Sequence, residues 1–600
     1  MSNRPQTVCF VRLTLRHIPR VLISRLRGRS VYALDADLPS FLGRSAAIRH
    51  VDAALVETAP IPNGSYDEPM RKFADLVEDW SRARHWRKLL EDFKPGDFEA
   101  ELLRTALIRK GSEHAGVAFR ILLLTEALQS NFTTVVCENS WQADVVRAGL
   151  PVRTPARVLA PLVPNKSLGR LQHLVKNYFR SSFATPGAVA SGPNCSPDGS
   201  TGSGLLFLNQ GLTYGRLYSY DFLMEPFPLD PQTNLRDVAL LSRSGGKLIN
   251  GEDSAEWPSL ALNKRSHLKI LASTAFACLR SPGIPFHVIR EGFVIHGRSQ
   301  SVRRHISKNF PKARVAVYAF DSRIPVEFTI ALQLLGIRSV ALHERPVTAV
   351  TSSIPLAVHT LLTASEQFSK LVMGNPVHAI RTCIPVGMWR TDLFFEERTS
   401  LPARPSRPVI LILPYHAQRQ GAPHSTSEES VEFFLSDIAQ LASELPEADF
   451  VIRSKQTEWL SSCRFNGLRS ALAELPNVNV DDEEKVIQGA YRWLASASLV
   501  IGKHTSLIDE ALALDIPTLV HDYGENNLIY ARDVVNYIPE AAWVGSHDEL
   551  LVRSRSALRD KTHFSVVMKA QTTSVFGDWA DGHVRRRYSD FVKNLAAHEW

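Results

Sequence analysis

The stretch Ser498–Asn526, SLVIGKHTSLIDEALALDIPTLVHDYGEN, decides the fold. Ser498–Gly502 is a short apolar run closed by glycine. The polar turn Lys503-His504-Thr505-Ser506 follows. Leu507–Leu514 then carries its apolar residues at helical spacing, and Asp515-Ile516-Pro517 ends it. Thr518–His521 is a second apolar run, followed by a second polar turn. Strands buried on both faces read as unbroken apolar runs, and alternation with helices predicts a parallel sheet covered on both sides.

The polar turns sit where such sheets bind ligands, outside the carboxyl ends of the strands. Thr505 and Ser506 fall at a helix N-terminus, where free N–H groups and hydroxyls suit a phosphate. The same residues also read as simple helix caps. Glu510 lies one turn further on, placed to accept hydrogen bonds from ribose hydroxyls. It also reads as a first-turn carboxylate favoured by the helix dipole. Asp522 and Asn526 lie in the second polar turn.

The same pattern extends in both directions. VILILP, ADFVIRSK and NVNV are further strands, alternating with helical SVEFFLSDIAQLASEL and EKVIQGAYRWLASA. Strand ends add Arg419, Arg453 and Lys455 to Lys503 and His504 as donors suited to a diphosphate. Earlier, RVAVYAFD is a strand ending in Asp321, PVEFTIALQLLG a helix and IRSVALHER a strand ending in His343-Glu344. PFHVIREGFVIHG reads as a strand. The resulting division is an N-terminal α/β region at 1–180 and a Gly/Ser/Pro linker at 181–204. A Rossmann-like domain at 205–395, a proline-rich hinge at 396–408 and a second Rossmann-like domain at 409–600 follow. Two such domains leave a cleft between their carboxyl edges.

Length excludes a single core: 600 residues suit several domains. The charge of +8, from 69 basic and 61 acidic residues, is too mild to imply nucleic acid, but it fits an anionic substrate or membrane surface. The six cysteines form no paired metal spacing, which favours a reducing compartment without structural zinc. No cofactor is expected. Asp35 and Asp37 form a D-x-D too early in the chain for a nucleotide-binding half to precede it. No apolar run spans a bilayer. Seven arginines interrupt the first thirty residues, so the uninterrupted apolar core of a secretory signal is not expected there. They fit a first β-α unit, TVCFVRL to SVYALD, and also a basic element on an anionic membrane.

WLASASLVIGKHTSLIDEALALDIPTLVHDY resembles the nucleotide-binding domain of GT-B glycosyltransferases. LPEADFVIRSK resembles the strand that ends in Lys-Pro-His-Pro in bacterial surface-polysaccharide transferases. Here that end is Arg453-Ser454-Lys455-Gln456, without histidine. AFDSRIPVEFTIALQLLGIRSVALHERP and PVGMWRTDLF look like their acceptor-side domain, with His343-Glu344-Arg345 where Gln-His-Gly is frequent. The nearest groups are capsule-type enzymes using CMP-activated acid sugars (Kdo or sialic acid) or CDP-glycerol donors.

The resemblance implies a metal-independent transferase with a nucleotide-sugar donor and a glycan or glycolipid acceptor, cytoplasmic and peripheral to the membrane's inner face. His343, Glu344 and Asp321 are its candidate catalytic residues, since a base must reach an acceptor hydroxyl. The alternatives are a CDP-polyol phosphotransferase, a nucleotide-sugar epimerase and a non-catalytic binding protein of the same fold.

Overall fold

The fold is given by a computed structural model. It describes residues 7–14, 30–37, 49–50, 68–82, 97–114, 118, 121, 132–149, 157–159, 205–209, 238–242, 246–247, 253–256, 260, 262, 264–280, 284–318, 324–343, 345–400, 406–414, 428–454, 462–481, 487–523, 532, 535–559, 569 and 571–597. The linker expected at 181–204 lies outside them, as do Asp321, Glu344, Arg419, Lys455 and Asn526.

The chain divides into two compact units. The first comprises Met1–Leu76 and Lys110–Gly202. Its strands are β1 (Thr7–Thr14), β2 (Ser30–Asp37), β3 (Arg49–His50), β4 (Phe132–Val136) and β5 (Arg157–Leu159). They lie in the order β3-β2-β1-β4-β5, with every neighbouring pair parallel. Parallel neighbours need a crossover. TVCFVRL and SVYALD, paired from Thr7 with Ser30, are therefore strands of one such unit.

The second unit, Val77–Arg109 with Ser203–Trp600, holds two sheets. The first is built from β6 (Leu205–Asn209), β7 (Val238–Ser242), β8 (Gly246–Lys247), β9 (Asp253–Glu256), β10 (Val315–Tyr318), β11 (Arg338–Leu342), β12 (Ala357–Thr363) and β13 (Ala379–Pro385). Its order is β13-β12-β11-β10-β6-β7-β9-β8, and β8 pairs antiparallel with β9. The other strands are β14 (Val409–Leu413), β15 (Asp449–Arg453), β16 (Val478–Asp481), β17 (Leu499–Gly502), β18 (Thr518–His521) and β19 (Trp543–Val544). All are parallel, in the order β16-β15-β14-β17-β18-β19. Numbered from β14, that is the 3-2-1-4-5-6 order of a dinucleotide-binding sheet.

The short 3-10 turn Pro346–Ala349, after β11, packs on the helix Ser506–Ala513, after β17. The helix Thr391–Ser400 packs on Ile487–Ser496. One buried apolar cluster runs from Leu206 and Val317 through Phe368 and Trp389 to Leu494 and Ile508. The second unit is thus α/β, with two Rossmann-like domains that meet at the carboxyl edges of their sheets.

Four features differ from the sequence reading. Phe286–Asn309 is a helix, not a strand. Val288, Ile289, Val294 and Ile295 favour strands by type. Yet the buried set includes Val288, Gly292, Ile295, Ser299, Val302 and Ile306, a helical stripe. The hinge expected from 396 begins as helix, since Thr391–Ser400 runs into it. Residues 97–109 belong with the second unit. Phe98 stacks edge-on against His359 at 6.0 Å, and Thr105 and Arg109 donate to the carbonyls of Val377 and Ile324 at 3.1 and 2.6 Å.

Fourth, the last helix, Val584–Ala597, returns to the domain that begins at β6. Asp392 accepts from the N–H groups of Val584 and Arg585 at 3.1 and 2.8 Å, and Arg587 donates to the Val386 carbonyl at 2.9 Å. Gly387, at φ 104°, makes room for this return. A Cβ there would stand 2.7 Å from Val584 Cγ2 and 2.8 Å from the Trp579 carbonyl oxygen.

Candidate functional site

β14 and β17 flank the point where strand order turns back, so their carboxyl ends mark the expected ligand crevice. Gly502 passes so close to β14 that a Cβ would stand 2.7 Å from the Leu413 carbonyl oxygen. Lys503 N–H donates to that carbonyl at 3.3 Å. Thr505 is extended (φ −143°, ψ 165°) and its hydroxyl makes no capping bond. Its carbonyl accepts from Ile508 N–H at 3.0 Å, which starts the helix. The amides of Ser506 and Leu507 have no acceptor in their own helix, and both residues are partly exposed.

Lys503 is buried, with its ammonium 5.9 Å from the centre of the Phe434 ring. Burial pushes its pKa down to about 8, against the opposing pull of Asp522 and Asp437. His521 donates through Nε2 to Asp437 at 2.9 Å and stacks on Tyr523 at 4.0 Å. Burial takes the His521 pKa down to about 4. The edge is therefore a mixed-charge cluster rather than a row of cations.

His504 turns inward. Its Nε2 lies 3.1 Å from Asp509 Oδ1 and 3.2 Å from Tyr537 Oη, and Tyr537 donates to the same carboxylate. Glu510 is 1% exposed. Tyr491 donates to one of its oxygens, and Arg390 Nη1, from the other domain, lies 3.6 Å from the second. Arg453 pairs with Asp481 at 2.5 Å, both buried, and Asp481 also accepts from Trp493 Nε1 at 2.6 Å. Asp522 is partly exposed, and its N–H donates to the Val544 carbonyl at 3.3 Å.

On the facing domain, His343 is 4% exposed. The Thr348 hydroxyl donates to the Arg345 carbonyl at 2.8 Å, so it can only accept from His343 Nε2, also at 2.8 Å. The proton therefore sits on Nε2, and Nδ1 carries the lone pair without a hydrogen-bond partner among the described residues. Burial pushes this pKa down to about 3. His378 is a contrast: Nδ1 accepts from Leu356 N–H at 3.1 Å and Nε2 donates to the Thr348 carbonyl at 3.0 Å. Phe368 bridges the two sides, 6.1 Å from His343 and 5.1 Å from Tyr537 between ring centres.

The structure thus gathers Lys503, His504, Thr505, Ser506, Glu510 and Asp522 at one sheet edge. It commits Arg453 to Asp481, and it sets His343 on the opposite domain. Sequence reading missed Arg390, Asp437, Tyr491, His521 and Tyr537. Three left a local signal: Asp437, a carboxylate inside the apolar stripe of SVEFFLSDIAQLA, Arg390, in PVGMWRTDLF, and His521, at the end of an apolar strand run. Among the described residues no cluster of three or more His, Cys, Asp or Glu is placed to hold a metal. No described helix is long and apolar enough to cross a membrane.

No protein-family model matches the sequence, and no curated protein matches it. Among solved structures, the chain is similar to the UDP-GlcNAc 2-epimerase of Neisseria meningitidis bound to UDP-GlcNAc: 11% identity, TM-score 0.37, covering 65% of this chain and 99% of that one. It is also similar to the wall teichoic acid polymerase TagF, at 11% identity and TM-score 0.38, over 72% and 97% of the two chains. A third is MurG of Acinetobacter baumannii, at 12% identity and TM-score 0.35, over 65% and 99%. At these values the likeness carries no inference about chemistry, and the fold rests on strand order and pairing.

Proposed function

We propose that the chain is a metal-independent GT-B glycosyltransferase. It moves a sugar from a nucleotide-activated donor, of CMP or CDP type, to a surface polysaccharide or glycolipid at the inner face of the membrane. The observation that carries this reading is the helix start at Thr505-Ser506, beside Lys503 at the switch point of a 3-2-1-4-5-6 sheet. Donor phosphates lie against the amides of Ser506 and Leu507, and Lys503 offsets the charge of the departing nucleotide. His343 Nδ1 is the acceptor for the proton of the attacking hydroxyl. Its basicity is low in the free protein, and the negative charges of a bound donor would raise it.

A panel of CMP, CDP, UDP and GDP tests the reading by thermal shift. One nucleotide should raise the unfolding temperature, and Lys503→Met with Ser506→Ala should remove that rise. If no nucleotide shifts the wild type, the reading is wrong. Phosphotransferase and epimerase readings use the same edge, and mass spectrometry of products separates them. A binding protein without chemistry is favoured by the commitment of Arg453 to Asp481. Turnover of any donor would remove that reading.

A further inference from the structure

We propose that the helix Lys264–Arg280, with the start of the helix Phe286–Asn309, is a docking surface for an anionic membrane. The first helix turns Ile270, Thr274 and Ala277 inward, and the two helices pack together. Its other face presents Leu268, Leu271 and Leu279, which are 68%, 45% and 83% exposed. Ala272 and Ala275 are exposed between them, and Phe286, at 50%, begins the next helix. Positions 268, 271, 272, 275 and 279 form one stripe along a helix. Isolated exposed leucines are ordinary, whereas a continuous stripe marks an interaction surface.

Charge decides what covers it. From Lys264 to Lys312 the sequence holds ten lysines and arginines and one acid, Glu291, while the whole chain carries only +8. A leucine stripe within a basic segment matches a bilayer interface. The leucines enter the acyl boundary and the cations meet the headgroup phosphates. A nucleic acid would use the cations through its phosphates and leave the leucines in water. A second copy would set two basic segments face to face, and like charges oppose such contact. This surface stands independently of the transferase reading.

The full chain, sedimented with vesicles, provides the test. It should bind phosphatidylglycerol/phosphatidylcholine vesicles at least about tenfold more tightly than phosphatidylcholine alone, and less tightly as salt rises. Leu268→Ser with Leu279→Ser should weaken binding at least about tenfold. The unfolding temperature should not change, because both side chains are largely exposed. Absence of binding to the anionic vesicles overturns the proposal. So does unchanged binding of the double variant, which would move the contact to the N-terminal arginines. Loss of a dimer in light scattering, with vesicle binding intact, would assign the stripe to a second copy instead. Vesicle binding that survives in a protein blind to every nucleotide would sink the transferase reading and leave this one standing.

Discussion

Arg390 and Glu510 meet across the two domains of the second unit, Nη1 to Oε1 at 3.6 Å, with side chains 11% and 2% exposed. Neither charge has much water to fall back on. Arg390→Ala should therefore cost about 3–5 kcal/mol in urea unfolding, because it strands a buried carboxylate. Arg390→Met combined with Glu510→Gln should recover most of that loss, since the pair is then removed together. Equal loss in the single and double variants would show that the contact contributes packing rather than charge.

Lys503 links stability to pH. In the unfolded chain its pKa is the ordinary 10.5, and in the folded protein burial brings it to about 8. Below pH 8 both states are charged and the folded state carries the whole desolvation penalty, about 3 kcal/mol for a shift of that size. Between about pH 8 and 10.5 the folded state is deprotonated first, so this residue's contribution to stability rises. Lys503→Met should unfold at a higher temperature at pH 7 and should lack that rise. In the wild type, nucleotide affinity should fall as pH climbs through 8, because the ammonium is lost.

His343 should stay neutral far into acid. Nitrogen-15 NMR should find one imidazole protonated at Nε2 alone from pH 8 down to pH 4, the signature of a pKa near 3 with Thr348 accepting. Thr348→Val should disturb that tautomer. If the His343 signals titrate near pH 6.5, its burial and its role as proton acceptor both need revision.

Gly502→Ala tests the close approach of β17 to β14. Its methyl would press on the Leu413 carbonyl, a contact no side-chain rotation relieves. A loss of about 1–3 kcal/mol is expected. Nucleotide binding should weaken as well, since Lys503 is hydrogen-bonded to the same carbonyl.

Asp392 caps a helix nearly two hundred residues away in sequence. Asp392→Ala should cost about 1–2 kcal/mol, and hydrogen exchange should quicken in 584–597 before it does elsewhere.

The domain beginning at β14 was legible because its strands are apolar runs bounded by glycine, proline and charge. VILILP, DFVIR, SLVIG and TLVH can hardly be anything but buried strands. The helix Phe286–Asn309 reads as a strand because its β-branched residues mimic strand composition, and only the spacing of its buried positions betrays the helical period. The edge cluster was half visible. Lys503 to Glu510 lie in one continuous segment, so a local pattern exposes them. Arg390 and Tyr491 reach Glu510 only through packing between elements, and His521 reaches Asp437 in the same way. No local pattern records such meetings. For the same reason the sequence showed Arg453 as a cation but not the Asp481 that neutralises it.

The return of Val584–Ala597 sets an order of assembly. On a ribosome, β6 to β13 emerge first, and the helix that covers Val386 and Gly387 follows nearly two hundred residues later. The later domain can close its own sheet as soon as β19 is out. The earlier one must wait with an uncovered flank, open to chaperones or to premature contacts. Its completion is therefore coupled to the synthesis of 584–597, and a nascent chain stalled before residue 584 would carry one finished domain and one unfinished one.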